Sequence, residues 1–502
     1  MRYVVTGKQM KAIDEYTINK TGIPSLVLME RAAYSVYEEI KNRYDTDTNI
    51  LIVCGSGNNG ADGIALARIL RENNYNADVF LAGNKEHFTE EMKKQFHIVQ
   101  NLEINIVNKT NMQEYNLVID SLFGIGLSRN IEGTYYNIIE DINNSGADIM
   151  AVDTPSGIDS ETGNIMGIAV KADITITFGT VKQGLLLYPG ADYAGNVIIK
   201  NVGFPKEAIQ TSGAECFMAE ESDIESMLPK RRSDSNKGSY GKLLAAVGTV
   251  NMCGAACMCS KAAYRMGTGL VKVFTPVENR VIIQTSIPEA VLSTYNITSF
   301  DAAGLKEDIK SSTCVVCGSG LGMSDTAEKI VKTILESKVR VVLDADALNI
   351  ISRNKSFENL YHENVIITPH IGEFSRLTGL KSEDIKSNPV KACREYALSK
   401  GITCVLKDAR TVTSFKDGTA WINVSGNSGM STAGSGDVLA GIISALISQG
   451  MDMEYGAVLG TFIHGLAGDE AKKVSGEYGM TAMDIADGIK NVLKKYESKD
   501  AR

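Results

Sequence analysis

The 502-residue sequence predicts an α/β protein of two successive domains, the first built on a parallel sheet with helices on both faces and the second on a different layout. Three observations carry this. Short β-rich runs ending near Gly or Asp alternate with amphipathic stretches, the signature of parallel sheets covered by helices. The alternation lapses once, from about residue 203 to 240, and then resumes. The length suits two or three domains of roughly 100–200 residues.

In the first domain, taken as 1–215, the runs are 49–55 (NILIVCG), 76–83, 115–124, 148–157 and 172–179, with helical stretches such as 62–73 (DGIALARILREN) between them. Ligands of such sheets sit at the carboxyl ends of the strands. The lapse mixes charge, Ser and Gly and reads as a junction plus one short helix, with Ser222 and Glu225 spaced as a capping box. The second domain, taken as 216–502, carries runs at 241–248, 269–276, 312–320, 339–348, 364–370 and 402–408, then long helices at about 436–449 and 456–474. VCGSG occurs at 53–57 and again at 316–320, but the flanks differ, so these read as two strand-end turns that arose separately.

Composition narrows the function. Hydrophobic content of 44% and charged content of 22% describe an ordinary globular chain. A net charge of −9, without a Lys/Arg block longer than three residues, argues against a nucleic-acid surface. No apolar run approaches the roughly 18 residues of a membrane span. The opening MRYVVTGKQMKAIDEYTINK shows no signal-peptide core. Nine cysteines scattered through a large chain read as reduced thiols, and a cytoplasmic location is expected.

The stretch GSGNNGADG (55–63) carries the first chemical signal. Gly55, Gly57 and Gly60 spell G-x-G-x-x-G after a strand and before a helix, which fits a dinucleotide-binding turn. The acid expected about 20 residues further on is missing from VFLAGNK, which disfavours an ordinary Rossmann dehydrogenase. Two readings stay open: a phosphate cradle on backbone N–H groups, or a glycine turn that only packs helix on strand. Two more strand ends add polar groups. VIDSLFGIGLSRNI holds Asp120, Gly124 and Gly126, and AVDTPSGIDSETG holds Asp153, Ser156 and Asp159. Such oxygens converging on one sheet edge suit a hard cation and hydroxyl-rich ligand groups, although any one of them alone could be a turn former or a cap.

GSGNNGADG, DSLFGIGLSR and DTPSGIDSETG together resemble the N-terminal domain of the YjeF family, over about residues 1–215. The resemblance implies a Rossmann-like, three-layer domain that interconverts the R and S forms of hydrated NAD(P)H, with potassium in its site. On the matching positions, Asn58, Asn59, Gly60, Ala61, Asp62, Gly124, Ile125, Gly126, Leu127, Ser128, Arg129, Asn130 and Asp153 would contact the hydrate. Asn59, Asp120 and Ser156 would hold the potassium. Ala61 replaces a family glycine. The glycines would then let the backbone approach the dinucleotide, and Asp153 would do acid–base work.

In the second domain, STAGSGDVLAGIISAL (431–446) places Gly434 and Gly436 at a helix start, where phosphate can bind, and Asp437 in the first turn. Asp437 could accept a proton from a hydroxyl attacking phosphorus, or could merely cap the helix. His370 and Lys407 stand at further strand ends and on their own read as surface residues. CGAACMC (253–259) reads as a small-residue helix face ahead of a zinc site. With KGSYGKLLAAVG, GSGLG, LDADAL and TPHIGEFSRL, these segments resemble the YjeF C-terminal domain, a ribokinase-like fold, over about 236–495. The resemblance implies ADP-dependent dehydration of (S)-NAD(P)H hydrate to NAD(P)H, AMP and phosphate, with Mg2+ and with Asp437 as base. Ala255, Gly322, His370 and Asp437 match the hydrate-binding positions, and Lys407, Asp408, Ala409, Arg410, Thr411 and Gly436 the AMP-binding positions. Asp408 replaces the usual glycine and would set an acid beside the nucleotide phosphates. The expected partners are small molecules, with no nucleic acid or membrane, and the expected assembly is a homo-oligomer. A small-molecule kinase on the same second fold is the nearest rival, separated by its stable phosphorylated product. A non-catalytic nucleotide-binding or scaffolding protein is the other, and retention of Asp153 and Asp437 argues against it.

Overall fold

The structure, a computed structural model, describes residues 1–107 and 111–496; the last six residues of the expected second domain lie outside the described ones. Two compact units emerge, Tyr3–Glu215 and the chain from Cys216 onward together with Met1 and Arg2.

The first unit contains β1 (Arg2–Val5), β2 (Asn49–Cys54), β3 (Asn76–Leu81), β4 (Ile106–Val107), β5 (Leu117–Ser121), β6 (Asp148–Val152), β7 (Ile174–Phe178), β8 (Val181–Lys182) and β9 (Asn196–Lys200). Seven of these form a parallel sheet in the order β4-β3-β2-β5-β6-β7-β9, while β1 and β8 pair parallel with each other. The apolar run of β2 is buried on both faces, as a central parallel strand should be. Its Ile50, Ile52 and Cys54 pack under helices Ser25–Lys41, Asn58–Glu72 and Glu90–Asn101. Its Leu51 and Val53 pack on the other face, under helix Thr134–Asn143. The result is three layers. Strand order reverses between β2 and β5, so the loops after these strands diverge and open a crevice.

The glycines of GSGNNGADG correct one expectation. A Cβ on Gly55 would fall 2.0 Å from the Leu122 carbonyl oxygen, one on Gly60 2.1 Å from that of Gly55, and one on Gly63 2.7 Å from Ser121 Oγ. These three are glycine so that helix Asn58–Glu72 can seat on β2 and β5. Only Gly57 opens onto free space. Packing claims most of the motif, and backbone approach to a ligand is left to Gly57.

The second unit continues with β10 (Cys216–Met218), β11 (Lys242–Ala246), β12 (Leu270–Pro276), β13 (Val291–Tyr295), β14 (Cys314–Cys317), β15 (Val341–Leu343), β16 (Val365–Ile367), β17 (Thr403–Leu406), β18 (Val412–Ser414) and β19 (Ala420–Ile422). The order is β13-β12-β11-β14-β15-β16-β17-β18-β19-β10, parallel except for the antiparallel β17-β18-β19 meander. Its reversal lies between β11 and β14. Helices Cys253–Arg265, Ser435–Ser448, Met453–Gly479 and Ala482–Tyr496 share one core. Small residues bring two of them together: a Cβ on Gly441 would lie 2.3 Å from the Cys259 carbonyl oxygen. Cys253 and Cys259 are buried in that core, in keeping with a small-residue helix face.

The junction is more structured than its composition suggests. It holds helix Lys206–Gln210, strand β10 and helix Glu221–Met227. Its capping box is formed by Glu220 and Asp223, not by Ser222 and Glu225. The helix starts two residues earlier than the Ser222 spacing implies, and Asp223 Oδ2 accepts the Glu220 N–H at 2.8 Å.

Candidate active sites

In the first unit, the loops after β2 and β5 and helix Gly7–Glu15 enclose a cleft of about 600 Å³. Asn58, Asn59, Asp62, Gly124, Ile125, Gly126, Leu127, Ser128, Arg129 and Asp153 all line it. Gly60 and Ala61 are buried on the packed face of helix Asn58–Glu72, and Asn130 is exposed; none of the three is in the cleft wall.

Asp153 follows β6 with φ 68°, a left-handed conformation that few side chains adopt without cost. Its Oδ1 accepts from Lys182 Nζ at 2.5 Å and from Thr177 Oγ at 3.3 Å. Lys182 is buried, with only 1% of its side chain exposed. Its ammonium also donates to Thr177 Oγ at 2.8 Å and to the Phe178 carbonyl at 3.2 Å. Two further carboxyls face Asp153. Burial, then Asp153 and Asp14, pushes Asp62 well above the ordinary carboxylate range. Burial, then Asp153, pushes Asp14 up to about 6, with Lys182 acting in the opposite sense. Carboxyls crowded in this way cannot all ionise, so the cleft holds a proton donor and a proton acceptor side by side.

Beneath the cleft, Asp120 and Ser156 are fully buried. Asp120 accepts from Ser156 Oγ at 2.6 Å, Ser156 N–H at 2.7 Å and Leu122 N–H at 3.2 Å. Burial raises Asp120 to about 6, with only these neutral donors lowering it. Asn59 packs against Gly124, and its buried Nδ2 has no partner among the described residues. A buried acid with no cationic partner, bonded to the Ser156 hydroxyl, offers oxygens of the kind a large monovalent cation takes.

In the second unit, the polar groups gather after β14, β15 and β17 and at the start of helix Ser435–Ser448. Asp344 ends β15 almost completely buried; its Oδ1 accepts from Lys407 Nζ at 2.6 Å and from Thr368 Oγ at 2.7 Å. Burial opposes the Lys407 charge, but Asp344, Glu373 and Asp437 outweigh it and raise Lys407 above the ordinary lysine range. Burial, then Asp344, lifts Asp437 to about 6, with Lys407 pulling it down. Gly434 caps the helix with φ 92° and no side chain over the first N–H groups. A Cβ on Gly436 would lie 3.2 Å from Lys407 Nζ, so that turn stands directly beside the lysine.

The remaining positions divide. Gly322 donates its N–H to Asp346 Oδ2 at 2.8 Å. Ala255 lies where a Cβ on Gly320 would touch it at 2.9 Å. His370 pairs with Lys407 through the backbone, while its Nδ1 accepts the N–H groups of Gly372 and Glu373 at 3.0 and 3.4 Å and caps its own helix. Arg410 donates to the Val424 carbonyl at 2.9 Å, and Thr411 is buried. Asp408 and Ala409 are exposed, and Asp408 Oδ1 accepts the Ala409 N–H at 2.9 Å. The acid that replaces the usual glycine is thus bonded to its own loop.

Sequence reasoning passed over Asp14, Lys182, Asp344 and His464. Buried His464 lies 3.3 Å from Ser435 Oγ at the helix start and is held neutral, lowered to about 4 by burial. Asp344 lies within LDADAL, one of the segments that carry the family resemblance; Lys182, in VKQG, carries no local signal.

The fold defines an α/β enzyme of two units, a Rossmann-like one with a carboxyl-lined cleft and a ribokinase-like one with a glycine-opened helix start beside Lys407. Comparison with known proteins agrees. Residues 25–184 match the family model described as YjeF-related protein N-terminus, and residues 243–491 match NAD(P)H-hydrate dehydratase. The bifunctional NAD(P)H-hydrate repair enzyme Nnr of Thermofilum pendens is 34% identical over 97% of this chain and 95% of its own. A ribokinase-like superfamily protein of Enterococcus faecalis (29% identical, TM-score 0.51) covers 57% of this chain and 98% of its own. An ADP/ATP-dependent NAD(P)H-hydrate dehydratase of Bacillus subtilis, co-crystallised with ATP/Mg2+ (27% identical, TM-score 0.50), covers 56% and 99%. The chain belongs to the family of bifunctional NAD(P)H-hydrate repair enzymes.

Proposed function

We propose that this chain repairs hydrated NADH and NADPH, the first unit interconverting the R and S epimers at C6 and the second dehydrating the S form with ADP to give NAD(P)H, AMP and phosphate. What carries the reading is that a single chain holds two chemically different sites, at the two-domain length of the relatives that bear this name.

In the hydrate, C6 bears a hydroxyl beside the ring nitrogen. A proton given to that oxygen lets the nitrogen lone pair expel water and leaves C6 planar. Water then returns from the opposite face and gives up a proton. One group must donate and one must accept. Asp62, kept protonated by burial, suits the donor, and Asp153, ion-paired with Lys182, suits the acceptor. Asn59, Asp120 and Ser156 would hold potassium, which when bound supplies a positive charge beside Asp120 and the anionic dinucleotide.

In the second unit, the C6 hydroxyl attacks the terminal phosphorus of ADP as Asp437 takes its proton, and the bond to the AMP oxygen breaks. Phosphate then leaves C6 with its bonding pair, pushed by the ring nitrogen, and loss of a C5 proton restores the dihydropyridine. Lys407 and the uncapped helix start face the charge that builds up. Ala255, Gly322 and His370 would line the hydrate, and Lys407 to Thr411 with Gly436 the nucleotide. Among the described residues no group of three His, Cys, Asp or Glu side chains is arranged to hold a metal, so Mg2+ would come with the nucleotide phosphates. The compartment is the cytoplasm, in keeping with nine free cysteines.

The test is to incubate the full chain with racemic hydrated NADH and ADP. Reduced nicotinamide should return with one AMP and one phosphate per molecule. Accumulation of a stable phosphorylated hydrate without NADH would favour a kinase instead.

A further inference from the structure

Lys182 is among the largest fully buried side chains of the described residues, and the reaction derived above uses it only as the ion-pair partner of Asp153. A buried lysine is costly unless paired and fully hydrogen-bonded. Here Asp153, Thr177 and the Phe178 carbonyl take up its three ammonium protons. None is left for a ligand, so its charge serves the protein. The groups facing Asp153 are otherwise acidic: Asp14, with Glu15 behind it, from helix Gly7–Glu15, and Asp62 from helix Asn58–Glu72. Lys11, Glu91 and Arg129 stand elsewhere in the cleft wall. Three carboxyls around one cation can share protons in several ways, and an epimerase needs one arrangement.

We propose that Lys182 is the positioning residue of this cleft: its ion pair holds Asp153 charged and fixed in its left-handed turn, so that Asp153 acts as the base and Asp62 keeps the proton as the acid. The inference rests on reading the cleft as the epimerase site, and it adds which residue assigns the two roles. Thr177 completes the clamp by bonding both partners.

The experiment measures epimerase pH–rate profiles of the full chain, wild type against Lys182→Met and Lys182→Arg, with ADP-dependent dehydration of (S)-hydrate as an internal control on the same molecules. Removing the cation leaves only the carboxyls of Asp14 and Asp62 facing Asp153, and like charges at close range oppose one another. The acid limb of kcat/KM should therefore move to higher pH in the methionine variant, and kcat should fall by roughly 10²-fold, the scale of a misplaced general base, with KM little changed. Arginine should return the limb to its wild-type position. An unmoved limb in the methionine variant, or loss of rate in both variants with no displacement, would overturn the proposal. Should the methionine chain fail to fold, carboxyl-carbon NMR of the wild type decides. It should show Asp153 ionised and Asp62 protonated at neutral pH, and the reverse assignment sinks the idea. If the wild type does not epimerise at all, the failure lies in the functional reading of the cleft and not in Lys182.

Discussion

Both units set a lysine against an aspartate at the carboxyl edge of a sheet, next to its order reversal, yet the two lysines are used in opposite ways. Lys182 is 1% exposed and spends every proton on the protein; Lys407 is 18% exposed and spends one on Asp344. A lysine fully consumed inside fixes the charge of a neighbouring base. A lysine with donors to spare, beside an uncapped helix start, can receive phosphate. Each site also carries a strained residue at its strand end, Asp153 at φ 68° and Ala345 at φ 48°. The two units thus place a lysine–aspartate pair at a sheet edge in common and differ in how many of the lysine's protons the protein takes up.

The sharpest way to break this comparison is Asp437→Ala. Loss of a general base lowers rate by about 10²–10⁴-fold. Dehydration should fall on that scale while epimerisation is unchanged. Equal loss of both activities in a folded chain would mean that the sites are not separate.

The pH profile comes next. Asp437 is raised to about 6, so the base form prevails above that pH and is lost as pH falls through it. Dehydration should drop about tenfold per unit below pH 6. A flat profile down to pH 5 would remove Asp437 as the base.

Gly60→Ala should destabilise the first unit by about 1–3 kcal/mol, because the new methyl meets the Gly55 carbonyl at 2.1 Å. Gly57→Ala, which meets nothing within 4 Å, should leave the melting temperature unchanged and weaken hydrate binding. The opposite pattern would return the motif to a purely ligand-binding role.

These glycines mark where sequence reading ended. The strand runs of both units and the helix at Ser435–Ser448 were legible, because period and turn residues are local signals. The loops holding Asp153, Asp120 and Asp437 were legible from motif and position. Lys182 was not, because its meaning depends on Asp153, 29 residues earlier, and a two-residue strand has no period to read. Whether a glycine serves helix packing or a ligand is likewise invisible without the neighbour it would strike. The short strands β13, β18 and β19 were missed for the same reason, being specified by pairing and not by pattern.

The smallest effect concerns potassium. Asp120→Asn should abolish any response of epimerisation to potassium, measured with choline as the replacement ion, and lower the rate a few fold while dehydration stays constant. Indifference of the wild type to potassium would remove the cation from the first site.

The most direct test of two sites in one chain starts from pure (R)-hydrate, following both epimers, nicotinamide absorbance, AMP and phosphate with and without ADP. Without ADP, R should relax to an R/S mixture and no NADH should form. With ADP, all of the R form should be consumed, with one AMP and one phosphate per NADH. An R form that stays unchanged without ADP, or that ends as a stable phosphorylated product with it, would contradict the account.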